Sequence, residues 1–210
     1  MIHIVGSIGS GKKGIENRLR KEDNLLVINL NDIEDFHFVN AMKTNKKCYN
    51  MVANNKQKIW RNDFEKGVEK IFNQYVKLAN KEKKVLVVMN IANIENQFPF
   101  LNKMSFENKF YIGIDIEELF RTSCSKIISR IKSNHHEINE MYKYQPKLHI
   151  IKPITYYRMR IKDWAIQPFD EFERVEKDKR KWYCKKGYKI KCPSDIVDKI
   201  TTKFTKNGTL

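Results

Sequence analysis

The chain has 210 residues, 41% of them hydrophobic and 11% aromatic, which fits one domain with a buried core and excludes a disordered chain. Its 41 Lys and Arg against 25 Asp and Glu leave a net +16, a field that draws polyanions such as nucleotides, nucleic acid or acidic proteins. The four cysteines, Cys48, Cys124, Cys184 and Cys192, form no C-x-x-C pair, which argues against a disulfide framework or a Cys-based zinc site.

In chain order, Ile2–Val5 reads as a short buried strand stopped by Gly6. Residues 12–22 follow as a helix with Ile15 and Leu19 on one face, then a strand at Leu25–Leu30 that ends in Asn31, Asp32, Glu34 and Asp35. Residues 36–54 suit a short helix and a loop. A long helix places Phe64, Val68, Ile71, Phe72, Tyr75 and Ala79 at helical spacing. Val85–Met89 is the longest apolar run, too short to span a bilayer and continuous enough for a strand covered on both faces. Phe110–Ile114 is a further strand, ending at Asp115.

A helix with Leu119, Phe120, Cys124, Ile127, Ile128 and Ile131 on one face comes next, which makes Cys124 a core residue. Residues 132–170 are polar and aromatic and suit a helical lid or insertion. Gly187–Cys192 is the last strand. Pro193 breaks it, and Ser194 is placed to cap a helix whose face is Ile196, Val197, Ile200 and Phe204. Strands alternating with helices predict one α/β domain over 1–210, a three-layer sandwich around a five-stranded parallel sheet. In such sheets ligands bind at the carboxyl ends of the strands, where Gly6, Asp32, Asn90, Asp115 and Cys192 fall.

Gly6-Ser7-Ile8-Gly9-Ser10-Gly11-Lys12 lies between the first strand and its helix. That is the setting in which a G-x-x-x-x-G-K segment cradles phosphate. Glycines let the backbone curl so that successive amides point inward, the helix N-terminus adds its dipole, and Lys12 adds a point charge.

This segment resembles the loop of the P-loop kinases, the nucleoside, nucleotide and small-molecule kinases. The similarity extends in outline along most of the chain to the closing strand–loop–helix Gly187–Val197. The resemblance implies a P-loop NTPase kinase-like fold that binds ATP or a related nucleotide. Gly6, Gly9, Ser10, Gly11, Lys12, Lys13 and Gly14 would lie at the phosphates, and Cys192, Pro193 and Ser194 beside the base. It also implies phosphoryl transfer to a small acceptor, a nucleoside or nucleoside monophosphate. Lys12 would stabilise the migrating group, Asp32 would orient the acceptor, and lid arginines among Arg121, Arg130, Arg158 and Arg160 would neutralise charge.

The sequence departs from that family where Mg²⁺ is held. The hydroxyl that follows the loop lysine is replaced by Lys13 and Gly14, and the strand that carries a metal-binding carboxylate ends in Asn90. Mg²⁺ would then depend on phosphate oxygens, water and one carboxylate. Asp115 is one candidate for that role, although an Asp there more often caps the following helix. His135, His136 and His149 read as surface residues rather than metal ligands, and no G-x-S-x-G element points to a hydrolase.

Two functions therefore stand as expectations. One is an ATP-dependent phosphotransferase. The other is a catalytically degenerate kinase fold that serves as a structural, virion or nucleic-acid-binding component. Free thiols and the lack of a signal-peptide core at Met1–Val5 predict a cytoplasmic protein without membrane insertion. The Lys-, Asn- and Ile-rich composition suits an AT-rich genome, and a viral source would place the protein in a virion or at a replication site. It also allows much of the charge to be solvated surface.

Overall fold

Five short apolar segments pair into one all-parallel sheet in the computed structural model, which describes residues 1–33, 57–93, 98–126 and 168–205, with backbone alone for 57–64 and 205. The elements are β1 (Ile2–Gly6), α1 (Lys12–Leu19), β2 (Leu25–Asn29), α2 (Gln57–Lys81), β3 (Val85–Ile91), a 3₁₀ turn (Pro99–Lys103) and β4 (Asn108–Ile112). They continue with α3 (116–126), α4 (Phe169–Lys185), β5 (Lys189–Lys191) and α5 (Pro193–Thr205). The strand order is β2-β3-β1-β4-β5. β1 is central and buried along its whole length, with Ile4 level with Met89 on one side and Phe110 on the other.

Side chains alternate across a strand, so one strand feeds two cores. Ile2, Ile4, Val87, Met89, Phe110 and Ile112 face one way and pack against Ile15 and Leu19 of α1 and Ile196, Val197 and Ile200 of α5. Leu86 and Val88 face the other way and pack against Val68, Phe72 and Ala79 of α2, together with Phe98, Phe100 and Leu101. Val5 and Tyr111 share that second direction and meet Tyr183 of α4. Helices thus cover both faces, an arrangement compatible with a three-layer sandwich. Each fully buried Val, Leu, Ile, Phe or Met among them contributes roughly 1.5–3 kcal/mol.

β5 is the exposed margin of the sheet: it pairs with β4, and all three of its residues, Lys189, Ile190 and Lys191, are open to solvent. No helix among the described residues is long and apolar enough to cross a membrane.

Several sequence expectations need correction. The strand expected at Phe110–Ile114 begins two residues earlier and ends at Ile112. Beyond it, the Gly113 amide donates to the Lys191 carbonyl. Cys124 is half-buried, not core, because the buried position on that turn of α3 belongs to Ser123. Ser194 does not cap α5. It is the second residue of the helix, behind Pro193, and its hydroxyl meets Cys192 Sγ at 3.1 Å.

Of the expected lid at 132–170, residues 168–170 form the Pro168 cap and first turn of α4, and the remainder lies outside the described residues, as do 36–54. The sequence reading missed α4 altogether.

α1 forms despite a glycine at its third position, Gly14, and draws its stability from Ile15 and Leu19 packing on the sheet. A Cβ at Gly14 would meet nothing within 4 Å. Replacing Gly14 with Ala should raise the unfolding free energy by roughly 0.5–1 kcal/mol in a urea titration, because the helix no longer bears the entropy of glycine.

Candidate functional site

Residues 7–11 join the carboxyl end of β1 to α1. Ser10 N donates to Ser7 O at 3.2 Å, which folds the segment back on itself. Gly9 has φ of 90° and Gly11 φ of 84°, a left-handed conformation that L side chains rarely adopt. Gly11 is the N-cap of α1 and supplies no side chain to it, and the first turn carries no acidic residue. Among the described residues, the amides of Ile8, Gly9, Gly11 and Lys13 have no acceptor. A helix start left in this state presents donors and the positive end of its dipole to an anion.

Two contacts fix the loop from its own side. Lys12 Nζ donates to Gly6 O at 2.5 Å and to Ser7 O at 2.9 Å, so the ammonium lies across the loop rather than out in solvent. Ser123 of α3 donates its hydroxyl to Ile8 O, and a Cβ on Gly9 would come within 2.9 Å of the Ser123 amide. The Ser10 hydroxyl is buried inside the curl, where a Cβ on Gly6 would collide with it, and it has no partner among the described residues.

Beneath the loop sits a carboxylate that sequence reasoning missed. Glu176 of α4 is 1% exposed. Its Oε2 accepts from Ser7 Oγ at 2.6 Å, and its Oε1 accepts from Tyr111 OH at 2.7 Å and Arg180 Nε at 3.1 Å. Arg180 also donates to the Ile114 carbonyl at 2.7 Å. Burial first, and then the Glu176 charge, hold the Tyr111 phenol well above its usual pKa range, so it stays a donor. A signal was available: Phe169, Phe172, Glu176 and Tyr183 share one helical stripe, and a Glu on an aromatic stripe is a buried acid in need of a cation.

The remaining strand ends are engaged within the chain, Asp115 as the helix cap expected of it. Asn90 is buried, with its Oδ1 accepting from His3 Nε2 at 2.7 Å. That bond fixes the tautomer, and Tyr188 OH donates to His3 Nδ1 at 2.6 Å. Burial lowers the His3 pKa from 6.5 to about 4, the Asn90 hydrogen bond opposes the shift, and the Lys109 charge adds to it. Asp115 Oδ1 accepts the amides of Glu117 and Glu118 at 2.9 and 3.0 Å and so caps α3. Asp32 is exposed and accepts a 3.3 Å bond from Asn29. Next to it, Asn31 Oδ1 receives the Ile91 amide at 2.9 Å and ties the ends of β2 and β3 together. Lys13 Nζ turns to Glu16, 3.2 Å away on α1.

Mg²⁺ does not fit this donor set. The residues after the loop lysine offer an ammonium and a bare Cα, and the Asn90 oxygen is taken by His3. No cluster of three His, Cys, Asp or Glu that could hold a metal occurs among the described residues.

Of the residues expected beside a base, Pro193 reaches the loop, since a Cβ on Gly11 would lie 3.8 Å from its Cγ, and Cys192 and Ser194 are its neighbours in sequence. Arg121 is exposed on α3, whereas Arg130, Arg158, Arg160 and the paired histidines lie outside the described residues. Comparison of the chain with protein-family models, with curated proteins and with solved structures found no match.

Two measurements check these assignments. Replacing Glu176 with Leu should cost about 3 kcal/mol, since it strands Arg180, Ser7 and Tyr111, and the Glu176→Leu/Arg180→Met pair should recover part of that in a double-mutant cycle. His3 binds its proton near pH 4 when folded and at 6.5 when unfolded. The stability it supports is therefore complete above pH 6.5 and falls by about 3 kcal/mol as pH drops from 6.5 to 4. The difference between wild type and His3→Gln in Tm against pH should be confined to that window.

Proposed function

We propose that this protein binds a nucleotide, with its phosphates on residues 6–14 and its base against Cys192, Pro193 and Ser194, in a P-loop kinase-like three-layer fold. The observation that carries the reading is the start of α1. An uncapped helix N-terminus is preceded by left-handed Gly9 and Gly11 and braced by Lys12, and the curl holds a buried Ser10 hydroxyl with no partner among the described residues. Among the described residues the chain supplies no acceptor for the amides of Ile8, Gly9, Gly11 and Lys13, and an anion would. Further support comes from the sheet, whose central strand feeds the loop at the edge where parallel sheets take ligands.

Two readings differ in turnover. Phosphoryl transfer to a nucleoside or nucleoside monophosphate would use Lys12 on the moving phosphate and the exposed Asp32 on the acceptor. Binding without turnover, by a degenerate kinase fold, is favoured by one set of contacts: Asn90 on His3 and Asp115 on its own helix. The groups that would gather a catalytic metal are thus committed to structure. The +16 charge suits either a nucleotide alone or a polyanionic partner beside it.

Calorimetric titration with ATP tests the binding. Wild type should give a saturable heat, and Lys12→Ala should weaken it by roughly tenfold or more, as expected on losing a charge-assisted hydrogen bond. A folded wild type that gives no heat with ATP or ADP would remove the reading.

A further inference from the structure

The donor set at the loop has a consequence for the form in which a phosphate ligand arrives. We propose that the loop takes its polyphosphate as the metal-free anion, with the Lys13 ammonium in the place a divalent ion would otherwise fill. This rests on the phosphate-loop reading above and narrows its ligand.

Three observations carry it. Lys13 is the second residue of α1, next to the lysine that braces the loop, and it is 67% exposed. Its partner Glu16 is 1% exposed and does not depend on it, because Arg20 binds the same Oε1 with NH2 at 2.8 Å and Nε at 2.9 Å. Lys13 can therefore leave Glu16 without stranding a buried charge, because Arg20 remains on the carboxylate. Glu16 keeps Lys13 beside the start of α1 without fixing it, since Arg20 shares the same oxygen.

The second observation is that several oxygens at this rim are already engaged within the chain. Glu176 accepts from Ser7, Tyr111 and Arg180, Asp115 caps α3, and the Asn90 oxygen is held by His3. The third is the buried Ser10 hydroxyl, unpartnered among the described residues, inside the same curl as the uncapped amides. A site that concentrates ammonium, amide and hydroxyl donors attracts phosphate oxygens and repels a divalent cation by the same field. Magnesium bound to the polyphosphate removes charge from the ligand and brings its own positive charge against Lys13. The metal complex should therefore be the poorer ligand.

The test uses the full chain, with ATP and, separately, inorganic tripolyphosphate as titrants, each in EDTA and in excess Mg²⁺. In EDTA both should bind, and Mg²⁺ should weaken binding by about tenfold or more. Lys13→Ser should lose about tenfold in EDTA and lose the penalty from Mg²⁺, while its circular dichroism stays that of wild type. Tripolyphosphate binding as tightly as ATP would assign the ligand to the phosphate chain, and ATP alone would assign it to the nucleotide. Wild-type binding that is unchanged or tightened by Mg²⁺ overturns the proposal while leaving the phosphate loop in place. Absence of binding in every arm by a folded protein removes the phosphate loop itself.

Discussion

β1 is hydrogen-bonded on both edges by strands that run the same way, β3 on one side and β4 on the other. Because all five strands share one direction, every strand-to-helix loop on the carboxyl side leaves from one rim of the sheet. The central position of β1 sets its loop in the middle of that rim, between the ends of β3 and β4, and far from the exposed margin at β5. The Gly6–Lys12 segment inherits its surroundings from this pairing. α3 lies against it through Ser123, α5 reaches it through Pro193, and α4 lies beneath it through Glu176.

The polar groups buried under that rim do more to define its shape than its glycines do. Ser7, Tyr111, Glu176 and Arg180 join β1, β4 and α4, and His3, Asn90 and Tyr188 join β1, β3 and the approach to β5. Both sets lie on the sheet face covered by α4, where Val5 and Tyr111 meet Tyr183. An apolar core tolerates small slips of one element over another, whereas a buried donor displaced from its acceptor does not. The two networks therefore fix how α4 sits on the sheet, and through Ser7 they fix where the loop begins.

Much of this was legible in the sequence because the local and tertiary demands agreed. Ile15 with Leu19, Val68 with Phe72, and Ile196, Val197 with Ile200 read as helical faces and became core. The unbroken apolarity of Val85–Met89 became a strand covered on both sides. The loop itself was found from Gly6, Gly9, Gly11 and Lys12, since glycine spacing reports backbone shape directly.

What escaped were features defined by partners remote in sequence. Glu176 looks like one more charge in a Lys- and Glu-rich helix until Ser7 and Tyr111 arrive from 169 and 65 residues away. Asn90 looks like a weakened metal ligand until His3 claims it. The polar Asn108 and Lys109 hide the start of β4 in the sequence, yet both pair with β1. α4 is hidden by its charged composition, and only its thin aromatic stripe marks the buried side.

The sheet ends at β5, and the way it ends has a bearing on the behaviour of the protein at high concentration. A margin strand carries unsatisfied backbone groups that invite another chain to extend the sheet. Here that margin is three residues long, with a lysine on each side of Ile190. Two such margins brought together would oppose ammonium to ammonium along the whole contact, so the brevity and charge of β5 act as a stop that keeps neighbouring molecules from continuing the ladder.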